Sequence, residues 1–171
     1  MHDPNHVFSV IGLRKGQVFL DLGCGPGDYS LAAAEIVGPS GRVYALDIWR
    51  SMVEVLRTEA RNRNIENLQA IMADITGTIP IVDNTMDVCL TSTVLHMPEV
   101  TRKIPALAAE IRRVLKPGGR LAIIELKRDA SSGLPKNPRL SPKGIEKMLI
   151  KIGFRKTGIV NFSRTFLIHF E

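Results

Sequence analysis

The chain has 171 residues, room for one domain with a substantial core, and its 44% hydrophobic content excludes a disordered or fibrous protein. No apolar run approaches the roughly 20 residues of a membrane-spanning helix. The start, MHDPNHVFSV, lacks the basic head and apolar centre of a signal peptide. Cys24 and Cys89 form no CxxC, so neither a disulfide framework nor a metal site is expected, and a cytoplasmic protein is the default. The net charge of +6 is uneven: residues 120–171 hold 11 Lys/Arg against 4 Asp/Glu, whereas residues 1–119 hold 12 against 13. Such a basic last third reads as a solvated face, or as a surface that attracts an anionic substrate, nucleic acid or lipid headgroup.

Short β-rich runs alternate with helical patterns along the chain. After a short N-terminal segment, 1–16, QVFLDLG reads as a first strand and DYSLAAAEIVG as a helix stopped by Gly38-Pro39. RVYALDI is a second strand, SMVEVLRTEARNRN a helix, LQAIMAD a third strand and MDVCLTST a fourth. VTRKIPALAAEIRRVLK is a helix stopped at Pro117-Gly118-Gly119, and RLAIIELK a fifth strand. This alternation predicts parallel βαβ units in a doubly wound α/β sheet covered on both faces. The end of the chain breaks the rhythm. After the helical SPKGIEKMLIKIGF come RKTGIVNFS and RTFLIHFE, two strands too close together to be anything but antiparallel neighbours. The polar run KRDASSGLPKNPRLSP is a loop over the sheet edge or part of a lid. There are no repeats, and a single domain over 1–171 is expected.

Three glycines follow the first strand in LDLGCGPGDYS. A glycine-rich turn between a strand and a helix lets backbone approach a ligand at the strand's carboxyl end. The spacing Gly23-x-Gly25-x-Gly27 puts Asp28 where a dinucleotide fingerprint wants its third glycine, and Pro26 removes an N–H that a pyrophosphate would use. Asp21 beside the loop favours a cationic or ammonium-bearing ligand. A second acid, Asp47, ends the second strand 20 residues beyond Gly27, where a carboxylate can accept both hydroxyls of an unphosphorylated ribose.

Taken together, LDLGCGPGDYS, YALDIW, MADI, MDVCLTSTVLHM and VLKPGGRL resemble, in order, the motifs of class I S-adenosylmethionine-dependent methyltransferases, in particular the small-molecule, quinone-biosynthesis-like branch. The resemblance implies a seven-stranded, mostly parallel Rossmann-like sheet whose last strand inserts antiparallel beside strand five. It implies S-adenosylmethionine as cofactor, S-adenosylhomocysteine as product and methyl transfer to oxygen or carbon of a small organic acceptor. Gly23, Cys24, Gly25 and Gly27 would shape the cofactor loop, with Asp21 near the methionine ammonium and the Thr91 carbonyl as its second acceptor. Asp47 would bind the ribose, Ile48 and Trp49 would pack on the adenine, and Asp74 with the Ile75 backbone would hold its edge. His96 would be the acceptor's base, although in VLHM it occupies the middle of an L-x-His pattern whose histidine place Met97 takes. No Asn/Asp-Pro-Pro-Tyr motif for amino groups is present. The alternatives are an RNA methyltransferase that uses the basic last third, and a non-catalytic cofactor-binding partner subunit. Neither the acceptor nor the oligomeric state is specified by the sequence.

Overall fold

The computed structural model describes residues 2–127 and 140–171. Its elements are α1 (Pro4–Ile11), β1 (Val18–Leu22), α2 (Asp28–Val37), β2 (Arg42–Asp47), α3 (Arg50–Asn62), β3 (Leu68–Met72), β4 (Met86–Ser92), α4 (Pro98–Thr101), α5 (Ile104–Val114), β5 (Leu115–Leu126), α6 (Pro142–Ile150), β6 (Lys156–Asn161) and β7 (Thr165–Phe170). Seven strands form one sheet in the order β3-β2-β1-β4-β5-β7-β6. The first five run parallel, and β7 is antiparallel to both β5 and β6. The expected α/β sheet with its antiparallel closing pair is therefore what the chain forms. The polar run read as a loop or lid falls mostly on residues 128–139, outside the described residues.

Alternation along each strand divides the core. Leu20, Leu22, Cys89, Leu121 and Ile123 face a layer containing α4, α5 and α6. Phe19, Val88, Leu90, Ala122 and Ile124 face α1 and α2. Period-2 side chains that are apolar on both faces require this double cover. The strand order reverses direction between β1 and β4, where the crossover helices separate and leave a crevice at the carboxyl ends of the strands.

Three local differences from the sequence reading have simple causes. Residues 4–11 of the N-terminal segment are a helix: the Asp3 side chain accepts from Asn5 N–H at 3.0 Å, Pro4 stands in the first turn and Gly12 closes the helix in the left-handed region. Arg120 adds a guanidinium against the orphan carbonyls of Ile11 and Gly12 at that end. The single helix expected over 100–116 is two, α4 and α5, with Pro105 in the first turn of the second. That second helix stops at Val114 because Lys116 precedes Pro117, which disfavours helical backbone.

Candidate functional site

Two cavities open over the carboxyl ends of β1 and β4, and both are lined by Gly23, Ser92 and Thr93. The first, about 540 Å³, lies over the glycine loop and reaches to His2 and Tyr29 and to Arg164 and Thr165 in and after the β6–β7 turn. The second, about 560 Å³, lies over β2 and β3 and is walled by Ile48, Trp49, Ile75, Met97 and Val100.

The loop itself is built by hydrogen bonds from β1 across to β2. Gly23 and Cys24 N–H both donate to the Leu46 carbonyl, at 2.8 and 2.9 Å, and Gly27 N–H donates to Cys24 O at 3.0 Å. Gly27 starts α2 with φ of 96°, and a Cβ there would stand 2.2 Å from Leu56 Cδ1, so α3 packs where a side chain would be. At Gly25, a Cβ would meet nothing within 4 Å, consistent with a backbone that faces open space.

Asp47 ties the loop to the second strand. Its Oδ2 accepts from Gly25 N–H and its Oδ1 from Trp49 N–H, both at 2.8 Å. An ionised carboxylate has about four acceptor positions, so each oxygen keeps a lone pair for one hydroxyl of a vicinal diol. Beside it Ile48 and Trp49 are 55% and 62% exposed, an unusual state for such side chains. Asp74 is exposed at the rim of the second cavity. Its Oδ1 accepts from Thr76 N–H at 2.8 Å, and this bond holds its carboxyl below the usual range. Ile75 is buried beneath it.

Asp21 has the most distinctive electrostatics. It is 1% exposed, its side chain is bonded by Ser30 Oγ–H at 2.6 Å, and it lines the first cavity. Burial pushes its carboxyl up to about 7, with the Ser30 bond opposing the shift and the Asp47 charge adding to it. A buried carboxyl in this state is poised to ionise against an incoming cation. Cys24, under the same loop, has its thiol pushed up by burial and by Asp21 and Asp47, which leaves it a neutral wall.

Nine of the eleven cofactor residues read from the sequence line one cavity or the other. Gly27 acts from outside by shaping the turn. Thr91 is fully buried within β4, paired with Leu22 and Ile123, and its hydroxyl is an orphan; it lines neither cavity. The strand end that does reach both cavities is Ser92-Thr93. Thr93 has φ of 55°, a strained conformation for a β-branched residue, and donates its N–H to Ile124 O at 2.8 Å. His96 is also outside both linings. Its Nδ1 lies 3.0 Å from Oε2 of the buried Glu125, whose Oε1 accepts from Leu95 N–H at 2.7 Å.

Residues not foreseen from the sequence are Tyr29, Ser92, Thr93, His2, Arg164 and Thr165. Tyr29 follows the loop by two positions and Ser92-Thr93 end the fourth strand, so both lay within reach of pattern reading. His2 and Arg164 are brought in by long-range packing: the His2 ring stacks on Phe162 with centroids 3.9 Å apart, and its Nε2 is bonded to Thr165 Oγ1.

The basic last third is partly neutralised, with Arg155 paired to Glu171 and Lys156 to Glu146. No helix among the described residues is long and apolar enough to cross a membrane.

Comparison with known proteins matches this architecture to one family. A profile of the methyltransferase domain covers residues 13–150. The ubiquinone/menaquinone biosynthesis C-methyltransferase UbiE of Haemophilus ducreyi is 43% identical over 115 residues, 67% of this chain and 43% of that protein. The demethylmenaquinone methyltransferase of a Geobacillus species is 34% identical over 116 residues, 67% of this chain and 47% of that protein. The matched region thus spans less than half the length of either relative. Among solved structures, a SAM-dependent methyltransferase from Aquifex aeolicus superposes with a TM-score of 0.89 at 28% identity, covering 98% of this chain and 88% of the other. With the profile, the sheet order and the glycine loop in agreement, the chain belongs to the methyltransferase domain family and carries the S-adenosylmethionine-dependent methyltransferase fold.

Proposed function

We propose that the protein transfers a methyl group from S-adenosylmethionine to oxygen or carbon of a small organic acceptor. The observation that carries this is Asp47, whose two oxygens are each held by one backbone N–H and each left with an acceptor site at the floor of an open apolar slot. That arrangement fits a nucleoside with a free 2′,3′-diol, whose base would lie between Ile48, Trp49 and Ile75 with Asp74 at its amino edge.

The first cavity would take the amino-acid end of the cofactor and the acceptor. Asp21 fits the ammonium group: a buried carboxyl with one hydroxyl partner gains a charge partner when a cation arrives. Held by Asp47 and Asp21, the cofactor would supply an activated methyl on a sulfonium, a group that an acceptor's electron pair displaces, with the sulfide as leaving group and the acceptor's proton passing to solvent. The chain's contribution is alignment of the two partners, which can supply most of the acceleration without a dedicated base. His96, bonded to Glu125 and outside both linings, supports a route that does not need it. The relatives named for quinone biosynthesis support a carbon acceptor on a quinol-like ring.

The test is calorimetric titration with S-adenosylmethionine, S-adenosylhomocysteine and NADH, followed by a methyl-transfer screen over phenolic and quinol acceptors. Micromolar binding of both adenosyl ligands, none of NADH, and turnover of at least one acceptor are expected. Tight cofactor binding with no turnover on any acceptor would point instead to a cofactor-holding partner subunit. Failure of a folded protein to bind either adenosyl ligand would sink the cofactor assignment.

A further inference from the structure

The charges around the first cavity are separated. Its two carboxylates, Asp21 and Asp28, stand at the end of β1 and the start of α2. Its one permanent cation among the described residues, Arg164, stands in the β6–β7 turn. Between β1 and β7 lie β4 and β5, three inter-strand spacings or about 14 Å. A cavity with a cation-binding end and a distant guanidinium is matched to two ligand groups of opposite charge.

The turn carrying Arg164 is fixed from several sides. The Arg164 carbonyl accepts Lys127 N–H at 2.9 Å, and the Thr165 carbonyl accepts Phe162 N–H at 3.0 Å. The Phe162 ring lies under His2, and the buried Thr165 hydroxyl is bonded to the same imidazole. Among the described residues, the Arg164 side chain makes no ion pair or hydrogen bond, although its own carbonyl and the flanking Phe162 and Thr165 are engaged. An arginine that lines a cavity from a preorganised turn, with no carboxylate partner among the described residues, suits bidentate recognition of a ligand carboxylate. Burial lowers the basicity of His2, which disfavours a competing charge beside Arg164.

We propose that Arg164 is a specificity-determining residue that reads a carboxylate on the methyl acceptor, so that the acceptor is a planar acid of hydroxybenzoate size. This rests on the methyltransferase reading of the site, with the cofactor's ammonium at Asp21 and the acceptor between it and Arg164. Tyr29, buried at the cavity wall, and Ile124 and Leu126 at the end of β5 give the ring of such an acid an apolar seat.

The experiment titrates 2-, 3- and 4-hydroxybenzoate and the matching hydroxybenzamides into the wild type, R164K and R164Q, each saturated with S-adenosylhomocysteine. The S-adenosylhomocysteine titrations themselves are recorded first for all three proteins. At least one acid should bind the wild type tenfold or more tighter than its amide. R164Q should abolish that preference, R164K should keep part of it, and S-adenosylhomocysteine affinity should change less than twofold in both. Equal binding of acids and amides by a wild type that holds S-adenosylhomocysteine would overturn the carboxylate assignment and leave the methyltransferase reading intact. A loss of tenfold or more in S-adenosylhomocysteine affinity in R164Q would overturn it differently, by giving Arg164 to the cofactor's own carboxylate. No S-adenosylhomocysteine binding by the folded wild type would overturn both readings.

Discussion

The two halves of the sheet do different work with different kinds of side chain. In the parallel half, β3-β2-β1-β4, the site is made close to the backbone: glycines, N–H donors and three acids sit within a few residues of strand ends. In the antiparallel half, β7-β6, it is made by side chains on one turn that meet the N-terminal segment more than 150 residues away. Backbone geometry of the first kind tolerates almost no substitution. Recognition of the second kind can be rewritten one side chain at a time, so the same cofactor half can serve many acceptors.

That contrast can be broken most sharply at Gly27. Gly27→Ala forces a Cβ into Leu56 at a positive φ, and should cost about 3 kcal/mol, lowering Tm by roughly 10 °C in a thermal melt. An unchanged Tm would show that α3 gives way freely. Asp47→Ala comes next: it removes the acceptor of two backbone N–H groups and the proposed diol contact, so S-adenosylhomocysteine affinity should fall about 100-fold by calorimetry.

Asp21→Asn should separate stability from binding. Burial lets Asp21 keep its proton to about pH 7 in the unliganded protein, whereas in the unfolded chain it loses it near the ordinary aspartate value of 3.8. Unfolding therefore releases a proton between those values, and this residue makes the protein less stable as pH rises from about 4 to 7. The asparagine variant should gain roughly 3–6 °C in Tm at pH 8 and lose the decline. It should also bind S-adenosylhomocysteine about tenfold more weakly at pH 8, because only the ionised acid gains from an ammonium group. If wild-type affinity does not rise from pH 6 to 8, Asp21 is not the ammonium's partner.

Trp49→Ala should have a smaller effect, about fivefold in affinity, since its ring contributes one wall of an open slot. As the chain's single tryptophan, it should also report binding in the wild type by a change in fluorescence intensity. The smallest effect belongs to the far edge: Ile159→Thr, at a half-exposed site on β6, should move stability by no more than about 0.5 kcal/mol and leave cofactor affinity alone. A cofactor defect there would mean that the two halves are coupled through the sheet.

What was legible in the sequence follows the same division. Strands β1 to β5 announce themselves because each is a short apolar run bounded by turn residues, and Gly23-x-Gly25-x-Gly27 and Asp47 mark their ends locally. Asp21 is read from the sequence as an acid beside the loop, where it lines the first cavity; its raised proton affinity has no sequence signal, since it depends on how completely the packed protein excludes water. Thr91, named for its carbonyl, lies inside β4, one residue short of the Ser92-Thr93 end that lines both cavities. The helix α1 carried readable signals in Asp3, Pro4 and Gly12, yet eight residues are too few for periodicity to stand out. Nothing near Arg164 or His2 in the chain points to the other, because their meeting is decided by β7 inserting between β5 and β6.

The position of His2 has a practical consequence. It lines the first cavity at the carboxyl edge of the parallel strands, while β7, running the other way, delivers Glu171 to the opposite edge beside Arg14 and Lys116. Whatever chain precedes His2 therefore starts from the wall of the first cavity. Whatever chain follows Glu171 leaves from the opposite edge of the sheet, so a change near His2 bears on the cavity wall and a change near Glu171 does not.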